Sequence, residues 1–303
     1  MSGMYKALFI FALCAFFIFT LLAHRALDHL SAAPPLPDVP QRIVSLAPSI
    51  TETLYALGMG PGIVGVTRFC AYPADVKSKA RVAGFSDVNY EAVLGLTPDM
   101  VVLPLDKTGN RLQLERLGLP VLALDILSIS GLMTSIETLG QVTKRQREAR
   151  VLLERIRDSL DSIRERGKDR PRPRVLFSIM HSYQGLGYIT EINAVGRDSF
   201  YNEMIELAGG VNVYQGSLDF PRLSREALIF LNPEVIIDVI PTAEDEDAIR
   251  RDWESLSSVS AIRNGRLHLF MDAADTVPGP RFYQTLRKLS LAFHPAGMDR
   301  AGR

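Results

Sequence analysis

The sequence predicts an α/β protein of two Rossmann-like lobes with parallel sheets, joined by a long backbone helix, with a ligand cleft between the lobes. Three observations support this fold class. Short apolar segments alternate with helical ones, which is typical of parallel strands buried on both faces. A long helix is predicted over 143–167, because its apolar residues recur every three or four positions. The sequence before this helix is echoed by the sequence after it.

The echo is clearest between residues 90–102 and 225–237, at an offset of 135 positions that aligns Glu91 with Glu226. A fainter echo, at an offset of 151, pairs Glu52, Leu54 and Gly58 with Glu203, Ile205 and Gly209. The offsets differ, so the two halves are expected to differ by loop insertions. Two similar halves on either side of a rigid helix predict a two-lobed protein.

In the first half, predicted strands and helices alternate along the chain. Strands are predicted at 42–46, 63–66, 100–103 and 121–124, and helices at 49–58, 90–96, 110–117 and 129–141. Ser49 followed three residues later by Glu52 has the spacing of a capping box at the start of the first helix. The long helix is expected to end at Gly167, before a proline-rich run.

The pattern restarts after the long helix. Strands are predicted at 174–179, 235–240 and 267–270, and helices at 199–208, from Arg225 onward, and over a final amphipathic segment with Phe282, Leu286, Leu289 and Phe293. Ser224 is expected to cap the helix that follows it, and Pro280 suits the first turn of the final helix. We therefore place the first lobe at 41–128, the linking helices at 129–167 and the second lobe at 168–303.

The first 33 residues are interpreted as a signal peptide or an N-terminal membrane anchor. Lys6 precedes an uncharged, mostly apolar run from Ala7 to Ala23, which is about the lower length limit of a membrane span. A cleaved signal and a retained anchor are equally compatible with this run. The proline-rich residues 34–40 predict a stiff spacer. We expect a periplasmic or extracytoplasmic protein, with or without an uncleaved N-terminal helix.

Composition and motifs exclude several functional classes. Basic and acidic residues balance at 34 each, which gives no reason to expect a nucleic-acid partner. Cys70 is the one cysteine outside the N-terminal run, and a free buried thiol is expected there. Sequence signatures of hydrolases, phosphate loops, paired-histidine metal sites and dinucleotide-binding loops are missing. We expect a monomeric binding protein without a cofactor, and not an enzyme.

Five blocks of sequence, in the same order, resemble the type III periplasmic substrate-binding proteins of ABC importers. The blocks are 42–52 (RIVSLAPSITE), 65–73 (GVTRFCAYP), 96–102 (LTPDMVV), 206–212 (ELAGGVN) and 278–281 (PGPR). Members of that family serve importers of cobalamin, ferric siderophores and haem. The resemblance spans about residues 41–295 and implies two α/β lobes that close little on their ligand and present it to a membrane permease.

The resemblance also implies a docking role for two carboxylates. In this family one surface glutamate of each lobe meets arginines of the permease, and these positions match Glu91 and Glu226. Exposed charge pairs of this kind steer encounter and fix register. The alternative is that both glutamates only stabilise the starts of their helices through the helix dipole.

The ligand-binding candidates are mainly aromatic. In cobalamin-binding members, bulky aromatic residues stand at the cleft mouth at positions that match Phe69, Phe85 and Phe220. Rings on loops that face a cleft would offer apolar contact area to a flat macrocycle. A role in the core is the alternative for these three residues. The aromatic positions favour a corrinoid as the ligand.

A loop after the first strand of the second half contains weaker candidates. Tyr183 and Tyr188 are further ligand-binding candidates, while Tyr72 is expected to be structural. His181 could ligate iron or cobalt, and Tyr183 could ligate ferric haem. Because an isolated loop histidine is more often hydrogen-bonded, we assign no metal ligand.

Arg281, together with Arg68, could meet an anionic siderophore or the propionates of haem; an ion-paired surface role is the alternative. The sequence thus predicts the exported substrate-binding component of an ABC importer for a metal chelate, with a corrinoid first and a ferric siderophore or haem next. A membrane-tethered sensor domain of the same fold is an alternative from a different functional class.

Overall fold

Two parallel sheets form the centres of two lobes in the computed structural model, which describes residues 34–84, 87–105, 108–179, 188–241 and 245–295. The first lobe contains Ile43–Ser45 (β1), Ile63–Thr67 (β2), Ala80–Ala83 (β3), Met100–Pro104 (β4) and Val121–Leu124 (β5). The second contains Arg174–Ile179 (β6), Glu191–Asn193 (β7), Val211–Asn212 (β8), Arg222–Ser224 (β9), Val235–Val239 (β10) and Leu267–Phe270 (β11). The strand orders are β3-β2-β1-β4-β5 and β11-β10-β6-β8, and β7 pairs with β9 in an antiparallel ribbon.

Helices flank both sheets and connect the lobes. They are Pro48–Ala56 (α1), Tyr90–Gly95 (α2), Asn110–Arg116 (α3), Ile129–Val142 (α4), Gln146–Gly167 (α5), Phe200–Leu207 (α6), Arg225–Leu231 (α7), Glu246–Glu254 (α8), Ser260–Arg263 (α9) and Phe282–Phe293 (α10). The predicted α/β fold class is confirmed. Strands β3, β7, β8 and β9 and helices α8 and α9 were not predicted from the sequence.

The two lobes have the same topology, as the internal echo predicted. Strands β2-β1-β4-β5 of the first sheet correspond in order to β8-β6-β10-β11 of the second. Helices α1 and α6 occupy equivalent places and end at glycines with positive φ, 78° at Gly58 and 87° at Gly209. Glycine adopts this left-handed conformation without steric cost, so both helices end in the same way.

The equivalence extends to individual hydrogen bonds around the first strand of each lobe. The guanidinium of Arg42 donates to the carbonyl of Leu96 at 2.6 Å, and that of Arg174 donates to the carbonyl of Leu231 at 2.6 Å. Leu96 and Leu231 are separated by the same 135 positions as Glu91 and Glu226.

An acidic residue follows a proline at equivalent positions of the two lobes, Asp99 after Pro98 and Glu234 after Pro233, and it accepts backbone hydrogen bonds in both. Asp99 accepts hydrogen bonds from the backbone of Gln41 and Arg42, and Glu234 accepts one from the backbone of Arg174. The repeat therefore preserves the contacts that fix the start of β1 and of β6.

Helix α5 links the lobes through a continuous core. The predicted long helix starts at Gln146, after a turn in which Lys144 has φ 56°. Its buried residues belong to one apolar cluster that also contains residues of β1, α1, α4, β6 and α10. They are Ala149, Leu152, Leu153, Ile156, Leu160 and Ile163. Since α5 contributes side chains to this shared core along its whole length, it holds the lobes together.

The predicted capping box at the first helix is wrong. The N-cap is Ala47, and no side chain caps the helix. The Glu52 carboxylate instead accepts two hydrogen bonds from the guanidinium of Arg281, at 2.7 and 2.8 Å. Glu52 is only 5 % exposed, and burying an unpaired carboxylate would cost more free energy than leaving the helix end without a side-chain cap. The carboxylate therefore pairs with Arg281. Pro280 precedes the N-cap Arg281 of α10 and lies just outside that helix.

The equivalent glutamate of α6 also bonds outside its own helix. Glu203 accepts a hydrogen bond at 3.0 Å from the backbone of Ile129, at the start of the linking helix α4. Glu52 and Glu203, which the fainter echo aligned, thus each tie the first long helix of a lobe to another part of the molecule.

The N-terminal spacer lies against the start of α5. Leu36 packs on the shared core, and Asp38 forms an ion pair with Lys144 at 3.2 Å. None of the helices in the described ranges has the length and apolar character needed to cross a membrane. The predicted signal or anchor, 1–33, lies outside the described residues, and the domain limits remain predictions.

The end of α10 contains a buried histidine beside arginines. His294 is almost completely buried, and its pKa is lowered, first by burial and then by the positive charges of Arg170 and Arg266. Both arginines also donate to carbonyls at the end of α10. The pKa of the half-buried His268 in β11 is lowered for similar reasons.

The first prediction concerns the ion pair between the lobes. Arg281→Met should lower the free energy of unfolding by about 3 kcal/mol, because it leaves the buried Glu52 carboxylate without its counter-charge. The double variant Glu52→Gln/Arg281→Met should recover most of that loss. Urea unfolding of the wild type, Glu52→Gln, Arg281→Met and the double variant gives the coupling. Arg157→Met, at an exposed position of α5, is the control; an equal cost at both arginines would contradict the assignment.

The second prediction concerns pH. The folded state keeps His294 neutral, whereas the unfolded chain takes up a proton near the ordinary pKa of 6.5, so stability should be lost as pH falls below about 6.5. His294→Gln should reduce the slope of unfolding free energy against pH between pH 7.5 and 5.5, and adding His268→Gln should reduce it further. Unchanged slopes in both variants would contradict the assigned pKa direction.

Candidate ligand-binding site

The candidate site lies between the lobes, beyond the carboxyl ends of β1, β2 and β11. In parallel α/β sheets, ligands bind at this edge. A cavity of about 70 Å³ is lined by Pro48, Glu52, Phe69, Ala71 and Tyr72 of the first lobe and by Ala273, Thr276, Val277 and Arg281 of the second. Because its lining comes from loops that directly follow strands of both sheets, this cavity marks the floor of the interlobe cleft.

A larger groove of about 680 Å³ lies on the other side of the same contact, between α1, α5 and the start of α10. It shares Glu52, Tyr72 and Arg281 with the cleft cavity. Its remaining walls are mostly the sides of helices rather than loops at strand ends. We therefore take the cleft, and not this groove, as the ligand site.

The floor of the cleft is fixed by close packing of the lobes. A Cβ at Gly279 would lie 3.2 Å from the Cα of Ser49, so glycine eases the close approach of the 278–281 loop to α1. The Arg281 guanidinium pairs with Glu52 and lies 3.7 Å from the ring centre of Tyr72. The hydrogen bonds that Arg281 donates to Glu52 are the main reason that the pKa of Arg281 is raised.

Buried polar contacts hold the loop of the second lobe that contributes to this floor. Asp275 is fully buried and accepts hydrogen bonds from Lys288 at 2.8 Å and from Thr285 at 2.6 Å. The hydroxyl of Tyr201 donates to the carbonyl of Thr276 at 2.7 Å. Burial and the charge of Asp275 raise the pKa of Tyr201. The segment that lines the cavity is therefore tied to α6 and α10.

Phe69 lies on the loop that follows β2. It is 50 % exposed, and the guanidinium of Arg68 lies 5.1 Å from its ring centre. Arg81 holds this loop, because it donates to the carbonyls of Thr67 and Cys70, both at 2.8 Å. An exposed ring on a loop held in this way is pre-organised to contact a ligand.

Cys70 is buried and forms no disulfide in the described part of the chain, as the sequence predicted. Its thiol lies 3.2 Å from the hydroxyls of both Thr51 and Thr67. The thiol thus helps to pack the loop of Phe69 against α1, and it faces the protein interior.

Phe220 lies in the second lobe and is 54 % exposed. Its segment is held by a hydrogen bond from the backbone of Gly196 to the carbonyl of Asp219 at 2.7 Å. A Cβ at Gly196 would lie 1.8 Å from the carbonyl oxygen of Leu218, so only glycine fits there. Tyr188 is also exposed, in the loop before β7.

Three of the residues that the sequence analysis considered as ligand contacts lie outside the part of the chain that the structure describes. They are Phe85, His181 and Tyr183. The described part of the chain contains no group of three or more His, Cys, Asp or Glu side chains that could hold a metal ion. Tyr72, expected from the sequence to be structural, lines the cleft cavity, and the pairing of Glu52 with Arg281 has no local signal in the sequence. The repeat of Glu52 in Glu203 was the signal that could have drawn attention to it.

The arginines singled out for anionic ligands both have acidic neighbours. Arg281 donates two hydrogen bonds to the Glu52 carboxylate. The Arg68 guanidinium lies 3.9 Å from a carboxylate oxygen of Asp87, and both side chains are exposed. At that distance and exposure the second pair is weak.

The two candidate docking glutamates occupy equivalent helix starts. Glu91 follows the N-cap Asn89 in α2, and Glu226 follows the N-cap Ser224 in α7, as the sequence predicted for Ser224. Both glutamates are exposed. The Ser224 hydroxyl donates to Glu226 at 2.7 Å, and this hydrogen bond is the main cause of the lowered pKa of Glu226.

Comparison with known proteins agrees with this architecture. The chain is 29% identical over 266 residues to the uncharacterized ABC transporter substrate-binding lipoprotein YvrC of Bacillus subtilis (strain 168), covering 84% of this chain and 81% of that protein. It is 28% identical over 224 residues to a vitamin B12-binding protein of Yersinia pestis, covering 70% and 74% of the two chains.

Solved structures of similar proteins have the same fold. A periplasmic heme binding protein from Pseudomonas aeruginosa superposes with a TM-score of 0.72 at 27% identity, covering 85% of this chain and 94% of that one. A periplasmic vitamin B12 binding protein of Vibrio cholerae superposes with a TM-score of 0.74 at 23% identity, covering 85% and 98%. The sequence profile of the periplasmic binding proteins matches residues 43–272. With that match over most of its length, the chain belongs to the periplasmic binding protein family.

Proposed function

We propose that this chain is the substrate-binding component of an ABC importer, which captures a metal chelate outside the cytoplasm and delivers it to the membrane permease. The observation that carries the proposal is the cavity between the lobes, which the half-exposed ring of Phe69 helps to line. In the second lobe the ring of Phe220 is also half-exposed, and we propose that it faces the same ligand. Similarity to an ABC transporter substrate-binding lipoprotein supports the transport role. As a member of a binding-protein family, the chain is an extracytoplasmic binding protein and not an enzyme.

A corrinoid is the first candidate for the chelate. The Arg281 guanidinium on the cleft floor is neutralised by Glu52, so it offers no free positive charge to a ligand carboxylate. A corrinoid presents a flat ring with amide side chains and would use the aromatic contacts of Phe69 and Phe220. The 28% identity to a vitamin B12-binding protein supports this choice.

Haem or a ferric siderophore is the second candidate. Haem carries propionates and some ferric siderophores are anionic, and the exposed Arg68 beside Phe69 could meet that negative charge. The similarity to a heme binding protein at 27% identity supports this candidate. A membrane-tethered sensor with the same fold would also use the cleft, but it would have no permease to dock on.

The N-terminal run decides how the protein is held at the membrane. Retention of residues 1–33 would tether the lobes through the spacer, whose Asp38 is paired with Lys144 at the start of α5. We propose an extracytoplasmic location for the lobes in either case.

The third prediction tests the ligand. Cyanocobalamin, haemin and a ferric hydroxamate are titrated into the protein while absorbance and thermal unfolding are followed. Cyanocobalamin at a hundred times its dissociation constant should add about 2.7 kcal/mol of stability. Phe69→Ala and Phe220→Ala should each weaken its binding about tenfold, because each removes a stacking contact of roughly 1 kcal/mol plus buried area.

The control for that titration is Leu112→Ala, an exposed apolar position on α3, which should leave affinity unchanged. Stabilisation by haemin or the hydroxamate, without any by cyanocobalamin, would replace the corrinoid by the second candidate. No stabilisation by any of the three would count against chelate binding.

The fourth prediction tests docking. Glu91→Arg/Glu226→Arg should abolish uptake into cells that contain the transporter, because both carboxylates would be replaced by charges of the wrong sign. Ligand affinity should remain unchanged. Glu154→Arg/Asp158→Arg, which makes the same charge change on the exposed side of α5, should transport normally. Equal loss of ligand affinity and uptake in the Glu91/Glu226 variant would refute a pure docking role.

A further inference from the structure

The most exposed large apolar side chain among the described residues is Phe230, at 88 %. It lies on α7, four residues after Glu226, and is preceded by the exposed Ile229. Residues three and four positions apart share a helix face. The carboxylate of Glu226 and the ring of Phe230 therefore belong to one surface, which we call the α7 face (Glu226, Ile229 and Phe230).

The equivalent helix of the first lobe has only part of this surface. At the offset of 135 positions, Glu226 corresponds to Glu91, Ile229 to the exposed Leu94, and Phe230 to Gly95. A Cβ at Gly95 would meet nothing within 4 Å, so the fold of this helix leaves room for a larger residue. The ring of Phe230 is thus a feature of one lobe and not a requirement of the shared architecture.

Packing within the chain does not account for this ring. Leu228 is the buried residue of α7 and supplies its contact with the core. Aromatic residues are enriched among the residues that contribute most of the binding energy of protein interfaces. An exposed ring beside an exposed carboxylate matches a partner with a basic group next to an apolar pocket.

We propose that Phe230 is an apolar anchor for the membrane permease, inserted beside the basic group that meets Glu226. This inference rests on the proposed function, in which Glu226 docks on the permease. It adds a second component to the interface: the glutamates of both lobes provide charge, and the second lobe alone provides a large apolar contact. The two lobes would then bind the permease with unequal strength.

Charge selects this partner over two others. The Ser224 hydroxyl bonds the Glu226 carboxylate and favours its ionised form. In a symmetric contact through this face both copies use the same patch, so two Glu226 carboxylates would enter one interface and their like charges would oppose it. An anionic membrane surface would repel the same carboxylate. A protein surface with a basic group next to an apolar pocket would pair with the Glu226 carboxylate and also bury the Phe230 ring.

The test measures binding of the full chain to the ABC permease reconstituted in nanodiscs. Phe230→Ala should weaken binding about thirtyfold, as truncation of an interface hot spot does. The weakening should be the same at low and high salt, because the lost contact is apolar, whereas Glu226→Gln should weaken binding mainly at low salt. Phe230→Leu should retain part of the affinity, and cyanocobalamin or haemin affinity should be unchanged in every variant.

Leu112→Ala, an exposed leucine on α3, is the matched control and should bind the permease like the wild type. Wild-type binding that Phe230→Ala leaves intact would overturn the anchor while leaving the proposed function in place. A wild-type chain that does not bind the permease at all would overturn the proposed function itself. Self-association of the wild type that Phe230→Ala abolishes would assign the α7 face to a second copy and overturn the anchor.

Discussion

A buried carboxylate constrains how the two lobes meet. Glu52 is almost completely inside the protein, and burying an unpaired charge is costly, so Arg281 must remain within hydrogen-bond distance. Glu52 belongs to the first lobe, whereas Arg281 precedes the last helix of the second. Their separation is therefore fixed by an interaction that weakens steeply if the lobes move apart. The ring of Tyr72 stacks on the same guanidinium and adds to this constraint.

The sequence predicted the parts of the fold that depend on local pattern. Runs of apolar residues predicted seven of the nine strands of the two parallel sheets, and the internal repeat predicted the equivalence of the lobes. Helix α8 was missed because its segment is mostly charged and its apolar residues are few. Its main contribution is Trp253, fully buried with its indole N–H on Asp238 at 2.7 Å, which is a tertiary contact. The capping box failed for the same reason: the partner of Glu52 is 229 positions away.

For the candidate site, the sequence could name residue types but not their surroundings. The family resemblance predicted Phe69 and Phe220 as rings at a cleft; the structure shows that both are half-exposed, and their contact with a ligand stays a prediction. The sequence could not show that Arg281 is already paired, because that depends on the packing of two lobes. Gly196 has no chemical signal in the sequence, yet glycine is required there because a Cβ would lie 1.8 Å from the carbonyl oxygen of Leu218.

The duplication separates residues that serve the fold from residues that serve binding. Arg42 and Arg174 make the same hydrogen bond in both lobes, so both serve the shared architecture. Gly95 and Phe230 stand at equivalent positions on helices of the same kind, and the structure would accommodate a side chain at either. A difference that the fold does not demand is best explained by a partner that touches one lobe differently from the other. On that reasoning the asymmetry between these two helices belongs to recognition, and the permease on which both glutamates are proposed to dock is the partner that fits it.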